Sequence, residues 1–287
     1  MYNYQAFGLT IQSEFKCPFL MTVKVDETAP DIYIRCGQVP PTFQKDALNR
    51  SRYQIQNSKI IISFQDVARF LIEDGSLITV DACTQDHAYI SLFLLGPVIS
   101  ALLVQRNCFI VRATSMTLGE NAILFCSNES DNSEIITTFI NHGYKLLSDN
   151  FSVLELQDDK AMVYSGYPLL KLSHSSLISF KADKNQFKAI GHRTNKYYVP
   201  IGQYFYEKPL LLAQIILLNK SENEMQSELL SGSTRLTSLL NMSPHLIFVT
   251  LLHRHEFNFI NYAKLMRQAL TIRRIYYTSQ TSFIHKI

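Results

Sequence analysis

The sequence predicts an α/β protein: a larger core preceded by a smaller α+β N-terminal domain. Three observations carry that expectation. Short apolar runs such as Ala122-Ile-Leu-Phe-Cys126 and Leu210 to Leu218 have the length and composition of buried strands. Segments with apolar residues at helical spacing, such as Ile135 to Asn141, alternate with them. The stretch Asn121 to Glu155 reads strand, polar loop, helix, Gly143, strand, the order of a βαβ unit.

Composition narrows the function classes. In 287 residues, 47% are hydrophobic and 18% charged, enough for a core without bulk disorder. A net charge of +3 with no Lys/Arg run gives no electrostatic footprint for nucleic acid. The cysteines at 17, 36, 83, 108 and 126 show no paired spacing, so a zinc site or disulfide framework is not expected and a reducing, cytoplasmic setting is. The N-terminus lacks a basic region followed by an apolar block, so it does not read as a signal peptide. Ile90 to Val104 is apolar but shorter than the roughly 20 residues a membrane span needs, and Gly96-Pro97 interrupts it. It reads as a core helix, with no membrane partner.

Residues 1–85 form the expected N-terminal domain and 86–287 the core. Tyr4 to Ile11, Ile32 to Arg35 and Lys59 to Phe64 read as strands. Val67 to Ile72 and Ser76 to Val80 flank Glu73-Asp74-Gly75, a hairpin signal. Asp86 is the expected N-cap of a helix running to residue 105. Phe109 to Ala113 is a strand, Gln157 to Lys160 a hairpin turn, and Ala161 to Tyr164 the next strand. Tyr167 to Leu172 is expected to pack on the sheet. Lys196 to Ile201 is a strand bounded by Pro200. Glu228 to Leu240 reads as an amphipathic helix with Leu229, Leu236, Leu239 and Leu240 on one side. Leu246 to Leu252 is a strand or a short buried helix, Asn261 to Leu270 a helix, and Ile272 to Tyr277 a last strand.

In a βαβ unit, the loop after the first strand lies over a helix N-terminus, where a phosphate would sit. A working phosphate loop needs glycines to curl its amides around the anion and a lysine to neutralise it. Residues 127–134 contain neither; they carry Glu129, Asp131 and Glu134. A triphosphate would meet like charges, each costing about 3–4 kcal/mol at 4–6 Å and an effective dielectric near 20. The order of elements points to a nucleotide site and the side chains point away from one.

Many short segments, in order, resemble the HPr-kinase-like proteins, a bacterial serine-kinase group related to HPr kinase/phosphorylase. They include Tyr4-Gln-Ala-Phe-Gly-Leu9, Ser13-Glu14, Asp31-Ile-Tyr-Ile-Arg35, and Asp74-Gly75. Further on are Leu92-Phe-Leu-Leu-Gly96, Gln105-Arg106, Ala122-Ile-Leu-Phe125, Gly143-Tyr144, Leu146-Leu147 with Asp149, Gly166-Tyr-Pro168, and Lys171-Leu172. The resemblance covers most of the chain. It implies a phosphoenolpyruvate-carboxykinase/HPr-kinase-like P-loop core, ATP with Mg²⁺, and a serine hydroxyl of a protein or peptide as acceptor. Four marks of activity depart. The Gly-Lys-Ser/Thr loop falls on residues 127–135, without Gly or Lys. The His-Ala-Ser-type strand end falls on Arg112-Ala113-Thr114-Ser115. The Asp-Asp pair falls on Asp149-Asn150. The basic segment survives in part, as Arg193 and Lys196.

Each candidate carries two readings. Ser127, Asn128, Ser130, Asn132 and Ser133 could rebuild a nucleotide site from hydroxyls and amides; the simpler reading is a solvated loop. Its carboxylates could hold Ca²⁺, but the Gly and distal Glu of an EF-hand are missing. Asp149 could act as a general base at a strand end, or be a polar strand end and no more. Arg112, Lys171, Arg193 and Lys196 could line an anion cleft. Alternatively they neutralise the acidic loop, Arg112 pairing with Glu129 or Asp131. His253 and His255, alternating in a strand, would share a face, but no third metal ligand is identifiable and no metal site is expected. The expectation is a pseudokinase that binds a peptide or protein partner, needs no cofactor, and is compatible with a homo-oligomer. The alternative is a divergent serine kinase using ATP, Mg²⁺ and Asp149.

Overall fold

A computed structural model describes residues 1–24, 29–43, 48–50, 52–127, 133–180, 187, 196–222, 225–241, 246–268 and 270–277. The protein is a mixed α/β chain that divides into two compact units, residues 1–109 with 245–258 and residues 110–244 with 259–287.

The first unit is built on nine strands. They are β1 (Tyr2–Ala6), β2 (Leu9–Ser13), β3 (Met21–Thr22), β4 (Ile32–Cys36), β5 (Leu48–Arg50), β6 (Tyr53–Gln56), β7 (Lys59–Phe64), β8 (Ala68–Glu73) and β9 (Leu77–Ala82). Their spatial order is β3-β1-β2-β4-β9-β8-β7-β6-β5. The β2–β4 and β4–β9 pairs are parallel. Tyr4 to Ile11, expected as one strand, is a hairpin: Phe7 (φ 56°) and Gly8 (φ 75°) turn the chain between β1 and β2. Two successive positive φ angles are what a tight two-residue hairpin requires. Among the described residues of 1–85 there are strands and no α-helix, so the α+β expectation for that segment is corrected.

The unit's helices come from later in the chain. The first of them are α1 (His87–Phe93), a π-helical segment Leu94–Val98, and α2 (Ile99–Gln105). Asp86 caps α1, its carboxylate accepting the Tyr89 amide, as expected. Gly96 breaks the helical geometry (φ −95°, ψ −107°) next to Pro97, which cannot donate to the ladder. His87–Gln105 is long and apolar enough to cross a membrane, and 67% of its most apolar window is buried inside the protein.

The end of α2 is tied to the sheet by side chains. Gln105 accepts the Gly75 amide at 2.9 Å, and Arg106 donates to the Asp31 carboxylate and to the Asp31 and Gly75 carbonyls. Asp31 in turn accepts both Thr10 donors at 2.9 Å.

The second unit contains β10 (Phe109–Val111), β11 (Thr114–Leu118), β12 (Asn121–Ser127), α3 (Ser133–Asn141), β13 (Leu146–Ser148), β14 (Ser152–Leu156) and β15 (Ala161–Tyr164). There follow β16 (Leu169–Ser173), α4 (His174–Ser179), β17 (Lys196–Pro200), β18 (Leu210–Lys220), β19 (Gln226–Leu229) and α5 (Ser233–Leu240). The helix α6 (Leu246–Leu251) belongs to the first unit. The last elements are α7 (His255–Met266) and β20 (Thr271–Tyr277).

The main sheet runs β10-β14-β15-β18-β12-β11-β13, with β20 also beside β18 and β19 beyond it. Strands β12, β18 and β20 are parallel neighbours. The expected βαβ unit is a split one: β11 lies between β12 and β13, antiparallel to both. The apolar side of α3 explains its position. Ile136, Phe139 and Ile140 pack with Phe125, Ile216 and Ile275 in one buried cluster. Each such side chain contributes about 1.5–3 kcal/mol on burial.

Three further expectations need correction. Glu228 to Leu240 is not one helix: Gln226–Leu229 is the edge strand β19, the chain turns through Gly232 (φ 56°), and α5 follows. Leu229 is consequently 64% exposed instead of joining Leu239 in the core. The helix expected from Asn261 starts earlier, at His255. His253, with φ 54°, lies in the turn before it, so the two histidines do not share a strand face.

Candidate active site

Asp149 stands in the turn after β13, and three elements converge on it. Phe151 donates its amide to the Asp149 carbonyl at 2.8 Å, and Asn150 takes a left-handed backbone angle (φ 65°) to make the turn. The residue is 7% exposed. Its Oδ1 accepts the Thr114 hydroxyl of β11 at 2.8 Å. Its Oδ2 accepts the Lys171 backbone amide of β16 at 3.0 Å and the Asn150 side-chain amide at 3.3 Å. Burial raises the carboxyl pKa above its ordinary value, with the Lys171, Thr114 and Asn150 hydrogen bonds pulling the other way. Burial also holds the Tyr167 phenol well above its usual range and pushes Tyr198 up to about 12, with the Asp149 charge adding to both.

The expected nucleotide positions divide. Ser127 is the buried last residue of β12, in parallel register with Leu218. Ser133 opens α3 and is 5% exposed. Its hydroxyl lies 2.6 Å from the Ser176 hydroxyl and 3.2 Å from that of Ser173, and accepts the Ser173 amide at 3.3 Å. Asn128, Ser130 and Asn132, with Glu129 and Asp131, lie outside the described residues, as does Arg193. Arg112 is exposed between β10 and β11. Lys196 opens β17 opposite Ser173.

Asp149, Ser133, Lys171 and Lys196 are therefore gathered along β16, while among the described residues no hydrogen bond or ion pair joins Arg112 to Asp149. Sequence reasoning missed Thr114, Tyr167 and Tyr198 as neighbours of Asp149. Thr114 and Tyr167 lie inside quoted segments, Arg112-Ala113-Thr114-Ser115 and Gly166-Tyr-Pro168, but no spacing rule links segments this far apart.

A site for Mg²⁺ needs oxygen ligands with free lone pairs. Here one carboxylate is engaged by three internal donors, and its neighbour Asn150 turns an N–H, not an oxygen, toward it. These residues do not fit the metal. Among the described residues no group of three His, Cys, Asp or Glu side chains could hold a metal ion.

No family model matches this chain, and no curated protein matches it. Among solved structures, it is similar to the Hpr(Ser) kinase/phosphatase from Coxiella burnetii, at 10% sequence identity and a TM-score of 0.29. That match covers 60% of this chain and 86% of the other.

Proposed function

We propose that the chain is an HPr-kinase-like protein that has lost nucleotide chemistry and works by binding a peptide or protein partner. The observation that carries this reading is the engagement of Asp149. A general base must offer a lone pair to the substrate proton within about 2.6–3.2 Å. Asp149 already gives three of a carboxylate's roughly four acceptor positions to Thr114, Lys171 and Asn150. The composition of residues 127–134, without Gly or Lys and with three carboxylates, supports the same reading. The family assignment itself rests on the sequence resemblance.

A second reading, a divergent ATP-dependent serine kinase, is favoured by one observation. Burial moves the Asp149 pKa upward, in the direction that suits a general base near neutral pH. Phosphate transfer from labelled ATP–Mg²⁺ to serine peptides, or to the chain itself, separates the two. The binding reading expects no transfer by the wild-type chain. Transfer that Asp149→Asn abolishes would establish the kinase.

A further inference from the structure

Among the described residues, β16 and β17 form a two-stranded sheet of their own, with no strand pairing to either large sheet. In an antiparallel pair, alternate residues point their N–H groups at the partner strand and the others point outward. The Ile201 amide donates to the Pro168 carbonyl at 3.1 Å. In the register Leu170↔Val199 and Leu172↔Tyr197, that places the even-numbered amides of β16 toward β17. The odd-numbered amides face away, along an edge where a third strand would add. Pro200 is consistent with this phase, since it sits opposite Leu169 and has no N–H to offer.

That outward edge is nevertheless satisfied rung by rung. The Leu169 amide donates to the Tyr167 carbonyl at 2.8 Å. The Lys171 amide donates to Asp149 Oδ2 at 3.0 Å, and the Ser173 amide to Ser133 Oγ at 3.3 Å. Lys171 and Ser173 are two residues apart, so their amides are spaced by about 6.5–7 Å along the strand. Asp149 and Ser133 supply acceptors at that spacing from two different elements, the turn after β13 and the first residue of α3. Both are fixed in turn. Thr114 holds the other carboxylate oxygen, and Ser176 holds the Ser133 hydroxyl.

We propose that Asp149 and Ser133 form a two-point dock for the outer edge of β16, standing in for the backbone carbonyls of a missing strand. This deepens, and rests on, the reading of Asp149 as a non-catalytic carboxylate. The residues at the expected base and nucleotide positions hold the hairpin in place, and an extended peptide cannot add to this edge of β16 while the dock is closed.

Amide hydrogen exchange, resolved to single residues in the full chain, tests it. In Asp149→Ala the Lys171 amide loses its acceptor. Its exchange is expected to accelerate at least tenfold, while Leu170 and Leu172 change less than twofold. Ser133→Ala is expected to do the same at Ser173. Unchanged protection at Lys171 and Ser173 would overturn the dock. So would equal acceleration of odd and even amides, since that marks a general loss of packing. If Asp149→Ala does not fold, Ser133→Ala decides on its own: a rise confined to Ser173 supports the dock, and no rise there overturns it. Phosphate transfer is read separately, so failure of the dock and failure of the functional reading give different results.

Discussion

Asp149 joins a buried carboxylate to three donors from three chain positions, and its removal strands two of them in the interior. Asp149→Ala leaves the Thr114 hydroxyl and the Lys171 amide without an acceptor. Each unsatisfied buried group costs about 1–3 kcal/mol. Urea denaturation should show a loss of about 2–4 kcal/mol. The pH dependence has a definite sign. Burial raises the folded-state pKa of Asp149, so the native state keeps this proton to a higher pH than the unfolded chain. Stability from this group is full below the unfolded value near 4 and falls as pH rises through the folded value. Asp149→Asn cannot titrate, so its urea midpoint should lose that fall above about pH 4. An identical slope in both proteins would contradict the assignment. Ser115 gives the opposite case. Its hydroxyl is buried and has no partner among the described residues, so Ser115→Ala is expected to be neutral or stabilising by up to about 1 kcal/mol. Ser148→Ala, which removes a 2.7 Å bond to the Phe151 carbonyl, should cost about 1 kcal/mol by the same measurement.

The elements were legible wherever burial follows a simple period. β12, β18 and α3 could be read because one face or both faces are apolar. The Asp74-Gly75 hairpin and the Asp86 cap could be read because single residues specify them. What failed depends on contacts distant in sequence or on special backbone angles. β19 reads as helix because Leu229 falls at helical spacing from Leu236, and nothing local shows that β20 pairs with it. β11 between β12 and β13 is invisible to any local rule. The site shows the same division: Asp149 was readable by its place at a strand end, whereas its partners on β11 and β16 are set by topology. Gly75 shows how an element boundary becomes a structural joint. Its φ is +62°, and a Cβ there would lie 2.7 Å from Arg106 Cγ. Gly75→Ala should destabilise by about 1–3 kcal/mol through backbone strain and displacement of Arg106. A thermal midpoint equal to wild type would show that α2 is not clamped here.

For the molecule as a whole, the division into units bears on any dissection. The expected boundary at residue 85 falls just before α1, whereas α1 and α2 cluster with the first sheet. Gln105 and Arg106 bond to Ser58, Ile72, Asp31 and Gly75, all of which lie before that boundary. A truncated chain starting at Asp86 should therefore be insoluble, its apolar helix uncovered. A soluble, monodisperse truncated protein would contradict this.

The proposed reading has the second unit binding no nucleotide. Glycines are missing where an anion nest needs them, no lysine is present, and three carboxylates occupy residues 127–134. Asp149 is committed to internal donors. A helix N-terminus returns only about 0.3–1 kcal/mol, too little against repulsion of about 3–4 kcal/mol for each close pair of like charges. Calorimetric titration of the full chain with ATP–Mg²⁺ is the direct test. No saturable binding is expected below the millimolar range, and Ser133→Lys alone should not restore it. A micromolar dissociation constant for ATP, GTP or pyrophosphate would overturn the binding-only reading and make the divergent kinase the better one.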